Sequence, residues 1–249
     1  MTANLRGLLA RRDHPVVAPG ASDALSARLI EAHGYDCVYI GSYATAASRF
    51  AVPDTGLLSL NQLVEHAKSI AAAVRIPVIA DAEHGFDPQE TVHAFEEAGL
   101  AAIHIEDHTG AGKHTQEKQF LFGAKESADR IRAAVAARKN PDFLIVARSD
   151  AFWVNRDLED CIARLQLYAE AGADMVFPTL AGPAEIAEVR RRVAKPIMVV
   201  NNAEDRHDGA AIVLYYAFSI AHQFAAVKRA LAEGKLAGDT QPLEDFLGY

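Results

Sequence analysis

Eight short apolar runs rich in Val and Ile recur along this chain, and an amphipathic stretch follows most of them. They are VVAPG (16–20), CVYIGS (37–42), IPVIADAE (76–83), AAIHIED (101–107), FLIVARSD (143–150), DMVFPT (174–179), KPIMVV (195–200) and AIVLYY (211–216). Near-continuous apolar runs are what strands buried on both faces look like. Helices are expected at Ser22–His33, Leu60–Val74, Gln89–Ala98, Lys125–Arg138, Leu158–Ala171, Pro183–Val193 and from about Ser219 to Glu233. Ser22 and Ser59 are N-cap candidates, and Gly34, Gly99 and Gly172 fall where a left-handed C-cap residue is needed. Strand–helix units in this number predict a single-domain α/β chain over 1–249, a (β/α)8 TIM-type barrel rather than an open doubly wound sheet. One unit is defective. Only Asn201–Ala210 separates the seventh and eighth strands, so the seventh helix is expected to be missing or very short.

The net charge is −8 and the pI near 5.7, which argues against a nucleic-acid partner because that would need a basic face. An acidic protein that binds anions must concentrate positive charge locally, through a metal, Arg or backbone N–H groups. The two cysteines, Cys37 and Cys161, are far apart and read as reduced structural thiols. The N-terminus has a short apolar run without a small-residue cleavage site, and no stretch approaches the roughly 20 apolar residues of a membrane span. A cytoplasmic protein with no membrane partner is expected.

The strands end in chemistry. The third runs into Asp81-Ala82-Glu83-His84-Gly85, the fourth into Glu106-Asp107-His108, the fifth into Arg148-Ser149-Asp150 and the second into Gly41-Ser42-Tyr43. In a barrel these ends share one mouth, where such enzymes place their sites. Asp81 and Glu83 are two apart and so are expected on one side of the strand. With Glu106 they would converge on a hard cation such as Mg²⁺, which takes oxygen ligands; without one the cluster would repel itself and its pKa values would rise. Helix capping is the alternative role for each acid. His104, inside the fourth strand, reads as a hydrogen-bonded interior histidine. Arg148 is the natural clamp for a carboxylate or phosphonate, with a salt bridge to a neighbouring acid as its alternative. Gly41, Ser42 and Tyr43 offer backbone N–H groups to a second anionic group, or serve only a tight turn.

PGASDALSARLIEAHGYDCVYIGSYATAA, VPD, PVIADAEHGF, AAIHIED and VARSDA occur in consistent order and spacing from about Val16 to Ala173. In these motifs the chain resembles the isocitrate lyase and phosphoenolpyruvate mutase superfamily, whose fold is the (β/α)8 barrel. The resemblance implies a Mg²⁺ ion, with Mn²⁺ as a substitute, chelating the C1 carboxylate and C2 oxygen of an α-oxo or α-hydroxy acid. Asp81 would be the main direct metal ligand. Asp54, Glu83 and Glu106 would hold metal waters. Arg148 would be the anion clamp, the Gly41–Ser42–Tyr43 turn the carboxylate site, and His84 a substrate contact. A homo-oligomer, dimer or tetramer, is also implied. About fifteen residues follow the last helix, fewer than the swapped C-terminal helix of many members requires.

Three departures matter. Glu83 is a methylene longer than the familiar aspartate. His84 replaces a commoner Thr. The loop HTGAGKHTQEKQF lacks the KKCGH or KRCGH motif whose Cys protonates the departing carbanion, and His114 falls at that cysteine's place. If the loop is a lid rather than a surface loop, it would deliver Lys113 and His114 to the substrate. The expected function is a Mg²⁺-dependent carbon–carbon lyase or decarboxylase acting on a small 2-oxo or 2-hydroxy di- or tricarboxylate through a pyruvate-type enolate. The alternatives are phosphorus–carbon chemistry, for which the Asn-bearing lid sequence is lacking, and a catalytically silent barrel that binds a dicarboxylate or a protein partner. Phe50, Phe86, Trp153, Phe177 and Asn202 are the candidates for substrate selectivity.

Overall fold

Side chains alternate along each strand between two separate apolar environments. On one side stand Val16, Ala18, Cys37, Tyr39, Ile79, Ala102, Leu144, Val146, Met175, Phe177, Met198, Ile212 and Leu214, packed together with Leu5. On the other stand Val38, Ile40, Val78, Ala80, Ile103, Ile105, Ile145, Ala147, Val176, Val199 and Val213, packed against helices. The first set fills a barrel and the second is the layer between barrel and helices. A computed structural model describes residues 4–10, 14–110, 113, 120–201 and 209–248.

In chain order the elements are α1 (Leu5–Ala10), β1 (Val16–Pro19), α2 (Ala24–Ala32), β2 (Val38–Ile40), α3 (Ser42–Thr45) running into a π-helical turn (Ala46–Phe50), and α4 (Leu60–Ala71). Then come β3 (Val78–Asp81), α5 (Pro88–Glu97), β4 (Ala102–Glu106), α6 (Ala124–Ala137), β5 (Leu144–Ser149), α7 (Ala151–Asn155) and α8 (Leu158–Glu170). The chain continues with β6 (Met175–Pro178), α9 (Pro183–Arg192), β7 (Met198–Val200), β8 (Ile212–Tyr215), α10 (Phe218–Ala232) and α11 (Gln241–Leu247). All eight expected strands are present and every pairing is parallel. Two ladders, β1-β8-β7 and β2-β3-β4-β5-β6, meet at bridges between Gly20 and Tyr39 and between Val176 and Ile197. Those bridges close the sheet on itself. Between β7 and β8 no helix occurs among the described residues, and 202–208 lie outside them. No described helix is long and apolar enough to cross a membrane.

The helix starts follow local chemistry, with one correction. Ser59 caps α4 as expected, in a capping box with Gln62. At α2 the cap is Asp23, not Ser22: Asp23 accepts from Ser26 N–H at 2.7 Å, and Ser26 Oγ returns to the Asp23 N–H. Ser22 is committed elsewhere, to Ser219 of α10. Caps of this kind contribute about 1 kcal/mol each.

The seam where β1 meets β8 has no room for a side chain. Gly20 N–H donates to Tyr215 O at 3.0 Å, and a Cβ on Gly20 would lie 2.8 Å from that oxygen and closer still to the Tyr216 carbonyl. Both obstacles are backbone and cannot rotate away. Gly20→Ala is expected to cost about 1–3 kcal/mol by overpacking, read as a lower urea midpoint at unchanged slope.

Candidate active site

β3 ends on Asp81, on the side of the strand that faces the barrel interior. Its Oδ1 accepts the Glu83 N–H at 2.8 Å, and Glu83 takes a left-handed φ of +53°. Glu83 therefore reaches the mouth through an Asx-type turn, not through strand alternation as expected, because the strand has already ended. A non-glycine residue held in this region is strained, and such strain gathers at functional sites.

Glu83 Oε2 lies 2.7 Å from Lys113 Nζ. The same ammonium stands 3.3 Å from Asp54, 3.9 Å from Glu106 Oε1 and 3.1 Å from Ser42 Oγ. Ser42 Oγ in turn lies 2.9 Å from Asp81 Oδ2 and 3.2 Å from Asp54 Oδ2. The four acids, Ser42 and Lys113 are all buried. On the far side Arg148 Nη1 is 3.0 Å from Glu106 Oε2, while Asp150 takes Arg148 in a two-point pair, Nε to Oδ1 at 2.7 Å and Nη2 to Oδ2 at 3.0 Å. Thr179 shares Nε, and the guanidinium lies over Phe177. The salt-bridge alternative for Arg148 is thus realised, twice over.

Burial pushes the carboxyls of Glu83 and Glu106 upward, Glu106 strongly, with neighbouring acids adding to it and Lys113 and Arg148 opposing it. Burial also opposes ionisation of Asp81, but His104, Lys113, Arg148 and the Glu83 amide outweigh it and hold that carboxyl well below the usual range. The cluster is short of positive charge.

A cavity of about 390 Å³ opens on these groups. Its polar lining includes Gly41, Ser42, Asp54, Asp81, Lys113, Arg148 and Thr179; its apolar lining is Tyr43, Trp153, Phe177, Leu180, Val200 and Tyr216. Of the expected site residues, the structure therefore brings together Gly41, Ser42, Tyr43, Asp54, Asp81, Glu83, Glu106, Lys113 and Arg148. Ser42 is spent on the acids: its N–H is 3.4 Å from Asp81 Oδ2. His84 is not in the cavity lining. It packs against Phe86 and Phe122, with ring centroids 4.7 and 6.4 Å away. His114 and Asn202 lie outside the described residues.

Four residues were given no role by sequence reasoning. Asp150 and Thr179 orient Arg148. Tyr39 hydrogen-bonds through its hydroxyl to His104 Nε2 at 2.9 Å, and Tyr216 packs edge-on against Tyr43. Tyr39 had a legible signal, since its place in β2 puts it on the barrel interior. Beneath the site Asp107 gathers Ser149 Oγ, the Asp150 N–H, Arg164 and the Tyr168 hydroxyl, tying β4, β5 and α8 together.

The comparisons agree with this fold. The family model for phosphoenolpyruvate phosphomutase matches residues 5–233. A 2,3-dimethylmalate lyase of Eubacterium barkeri is 40% identical over 70% of this chain and 62% of its own length. A 2-methylisocitrate lyase of Aeropyrum pernix is 42% identical over 78% of this chain and 63% of its own. The chain thus spans less than two thirds of the length of these curated relatives. Among solved structures, a phosphonopyruvate hydrolase complex with oxalate and Mg²⁺ superposes with a TM-score of 0.85 at 27% identity, covering 100% of this chain and 95% of that one. The fold is that of a barrel of the phosphoenolpyruvate mutase/isocitrate lyase kind. The chain belongs to the phosphoenolpyruvate phosphomutase family.

His104 supplies a pH test. Burial depresses its pKa from 6.5 to about 4, with Asp81 opposing and Arg148 and Lys113 reinforcing the shift. A depressed base binds its proton more readily unfolded. Its contribution to stability is therefore full above pH 6.5 and drains as pH falls toward 4. Imidazole ¹⁵N shifts should show His104 neutral at pH 6 and protonating near pH 4; a charged ring at pH 6 would contradict this.

Proposed function

We propose that this chain is a Mg²⁺-dependent carbon–carbon lyase or decarboxylase. Its substrate is a small 2-oxo or 2-hydroxy di- or tricarboxylate, cleaved beside C3, a 2-oxo acid passing through a pyruvate-type enolate. The observation that carries this reading is the ring of four buried carboxylates, Asp54, Asp81, Glu83 and Glu106, at a cavity that also holds Arg148.

The donor chemistry suits a hard cation, although the acids as they stand are spread around the Lys113 ammonium. All the donors are oxygens, as Mg²⁺ prefers. Glu83 Oε1 and both oxygens of Glu106 are buried without a hydrogen bond among the described residues, so the cluster has unused acceptor capacity. Asp81 would hold the ion directly, with Asp54, Glu83 and Glu106 around it. Bound there, the ion would supply Lewis-acid stabilisation of the negative charge that develops on the substrate oxygen at C2.

The chain's own groups supply the rest. Guanidinium carries five N–H donors. Asp150 and Thr179 between them engage Nε and one N–H of Nη2, while Glu106 stands 3.0 Å from Nη1 as an ion pair, so Nη1 and Nη2 keep N–H donors for a substrate carboxylate. Asp150 and Thr179 fix the plane of that fork, so a carboxylate docks in one orientation. Tyr39 lines the cavity, and burial raises its pKa well above 10, so its hydroxyl keeps its proton beside His104. The apolar lining excludes water from a carbanion formed at C3. For a 2-oxo acid, the C3–C4 electron pair passes into the C2 carbonyl as CO₂ leaves, and C3 is then protonated. For a 2-hydroxy acid, the hydroxyl proton passes to a carboxylate of the acid cluster, the C2–C3 bond breaks as the C2 carbonyl forms, and the electron pair left on C3 takes up a proton. His114 is proposed as that proton donor, by its place in the sequence.

Lyase relatives support carbon–carbon chemistry. Phosphorus–carbon chemistry is the second reading, favoured by the phosphonopyruvate hydrolase likeness; phosphorus NMR on phosphonopyruvate would reveal it. Pyruvate release should be measured from oxaloacetate and from 2-methylisocitrate. Turnover of at least one should be lost in EDTA and restored by Mg²⁺. Asp81→Asn should lower kcat/KM by about 10³-fold or more, the loss of several kcal/mol of charge stabilisation. Absence of metal-dependent turnover of every such acid sinks the proposal.

We also propose self-association. Phe224, Val227 and Leu231 form one face of α10 and are 65%, 60% and 63% exposed, a patch that monomers rarely leave bare. Light scattering should give a dimer or tetramer mass, and Phe224→Lys with Leu231→Lys should lower it.

A further inference from the structure

Lys113 holds the centre of the acid cluster, and nothing in the carbon–carbon reading requires that position. Its ammonium touches Glu83 and Ser42 closely and stands 3.3 Å from Asp54 and 3.9 Å from Glu106. Asp81 is reached through the shared Ser42 hydroxyl. Among the described residues no three acid, His or Cys side chains stand in an arrangement that could grip an ion. The acids are instead spaced for an ammonium. Its N···O contacts here are 2.7–3.9 Å, against about 2.0–2.1 Å for Mg²⁺ and oxygen.

We propose that Lys113 is the resident counter-cation of this site, and that its seat among Asp54, Glu83 and Ser42 and occupation of the cluster by a divalent ion are mutually exclusive. The inference rests on the metal reading above and adds to it. Two arguments support exclusion. A divalent ion that drew these carboxylates to coordination distance would contract the space Nζ fills. It would also place three positive charges within a few ångströms in a buried site, where repulsion is weakly screened. Conversely, four buried carboxylates with no central cation would be costly, so the ammonium is what lets the metal-free protein keep them together. Glu83 fits this role: an aspartate would be one methylene shorter at the closest contact that Lys113 makes.

The test uses Mn²⁺ alone, followed by electron paramagnetic resonance of the free ion, with wild type, Lys113→Gln and Asp81→Asn. If the seats exclude each other, Lys113→Gln binds Mn²⁺ about tenfold tighter or more, since no cation must be displaced. The metal-free variant also melts below wild type, and Mn²⁺ raises its melting point by the larger amount. A second readout needs no variant. Acylation of Lys113 by an N-hydroxysuccinimide ester, followed by mass spectrometry, should be slow in EDTA and accelerate as Mn²⁺ saturates. Equal or weaker Mn²⁺ binding by Lys113→Gln, or a Lys113 that stays equally protected at saturating Mn²⁺, overturns the exclusion and leaves the metal reading standing. No Asp81-dependent Mn²⁺ binding in wild type or in Lys113→Gln overturns both.

Discussion

Four carboxylates at the mouth of a barrel, all taken out of water, need positive charge, and the arrangement of the site follows from how it is supplied. Lys113 stands inside the ring and Arg148 stands against its edge at Glu106. Arg148 is itself fixed by Asp150, so the two cations do not balance the acids among which they lie. The raised pKa values of Glu83 and Glu106 express that deficit. A hard divalent cation of the kind proposed would remedy it, and would itself stabilise negative charge developing on a substrate oxygen.

The barrel makes this concentration of charge tolerable. Its interior below the site is filled by apolar side chains, with Tyr39 and neutral His104 forming the transition to the polar mouth. Asp107, buried beneath, ties together the two strands that carry Glu106 and Arg148. Positioning by strands, not loops, holds Asp81, Glu106 and Arg148 to a fixed geometry. Glu83 alone arrives through a left-handed turn, and it is also the residue with the closest contact to Lys113.

Much of this was legible in the chain. Eight Val- and Ile-rich runs specified eight buried parallel strands, because only strands covered on both faces tolerate such runs. Asp81, Glu106 and Arg148 could be placed at one mouth because every strand of a parallel barrel ends on the same side. Family membership followed from the order of those motifs and is upheld by the matches over most of the chain.

Tertiary contact decided the remainder, for a physical reason: a side chain's partners across the barrel are set by closure of the ring, which no local pattern encodes. Sequence spacing could not say that Lys113, 59 residues beyond Asp54, would sit 3.3 Å from it. Nor could it show that Arg148 would be held by Asp150 and Thr179, or that His84 would turn to Phe86 and Phe122 instead of the cavity. The exchange of Ser22 for Asp23 as a helix cap is the same effect on a small scale, since Ser22 is claimed by Ser219 from the far end of the chain. By itself the sequence determined the barrel, the acids and the sign of the charge they need. The folded chain decided which cation stands among them.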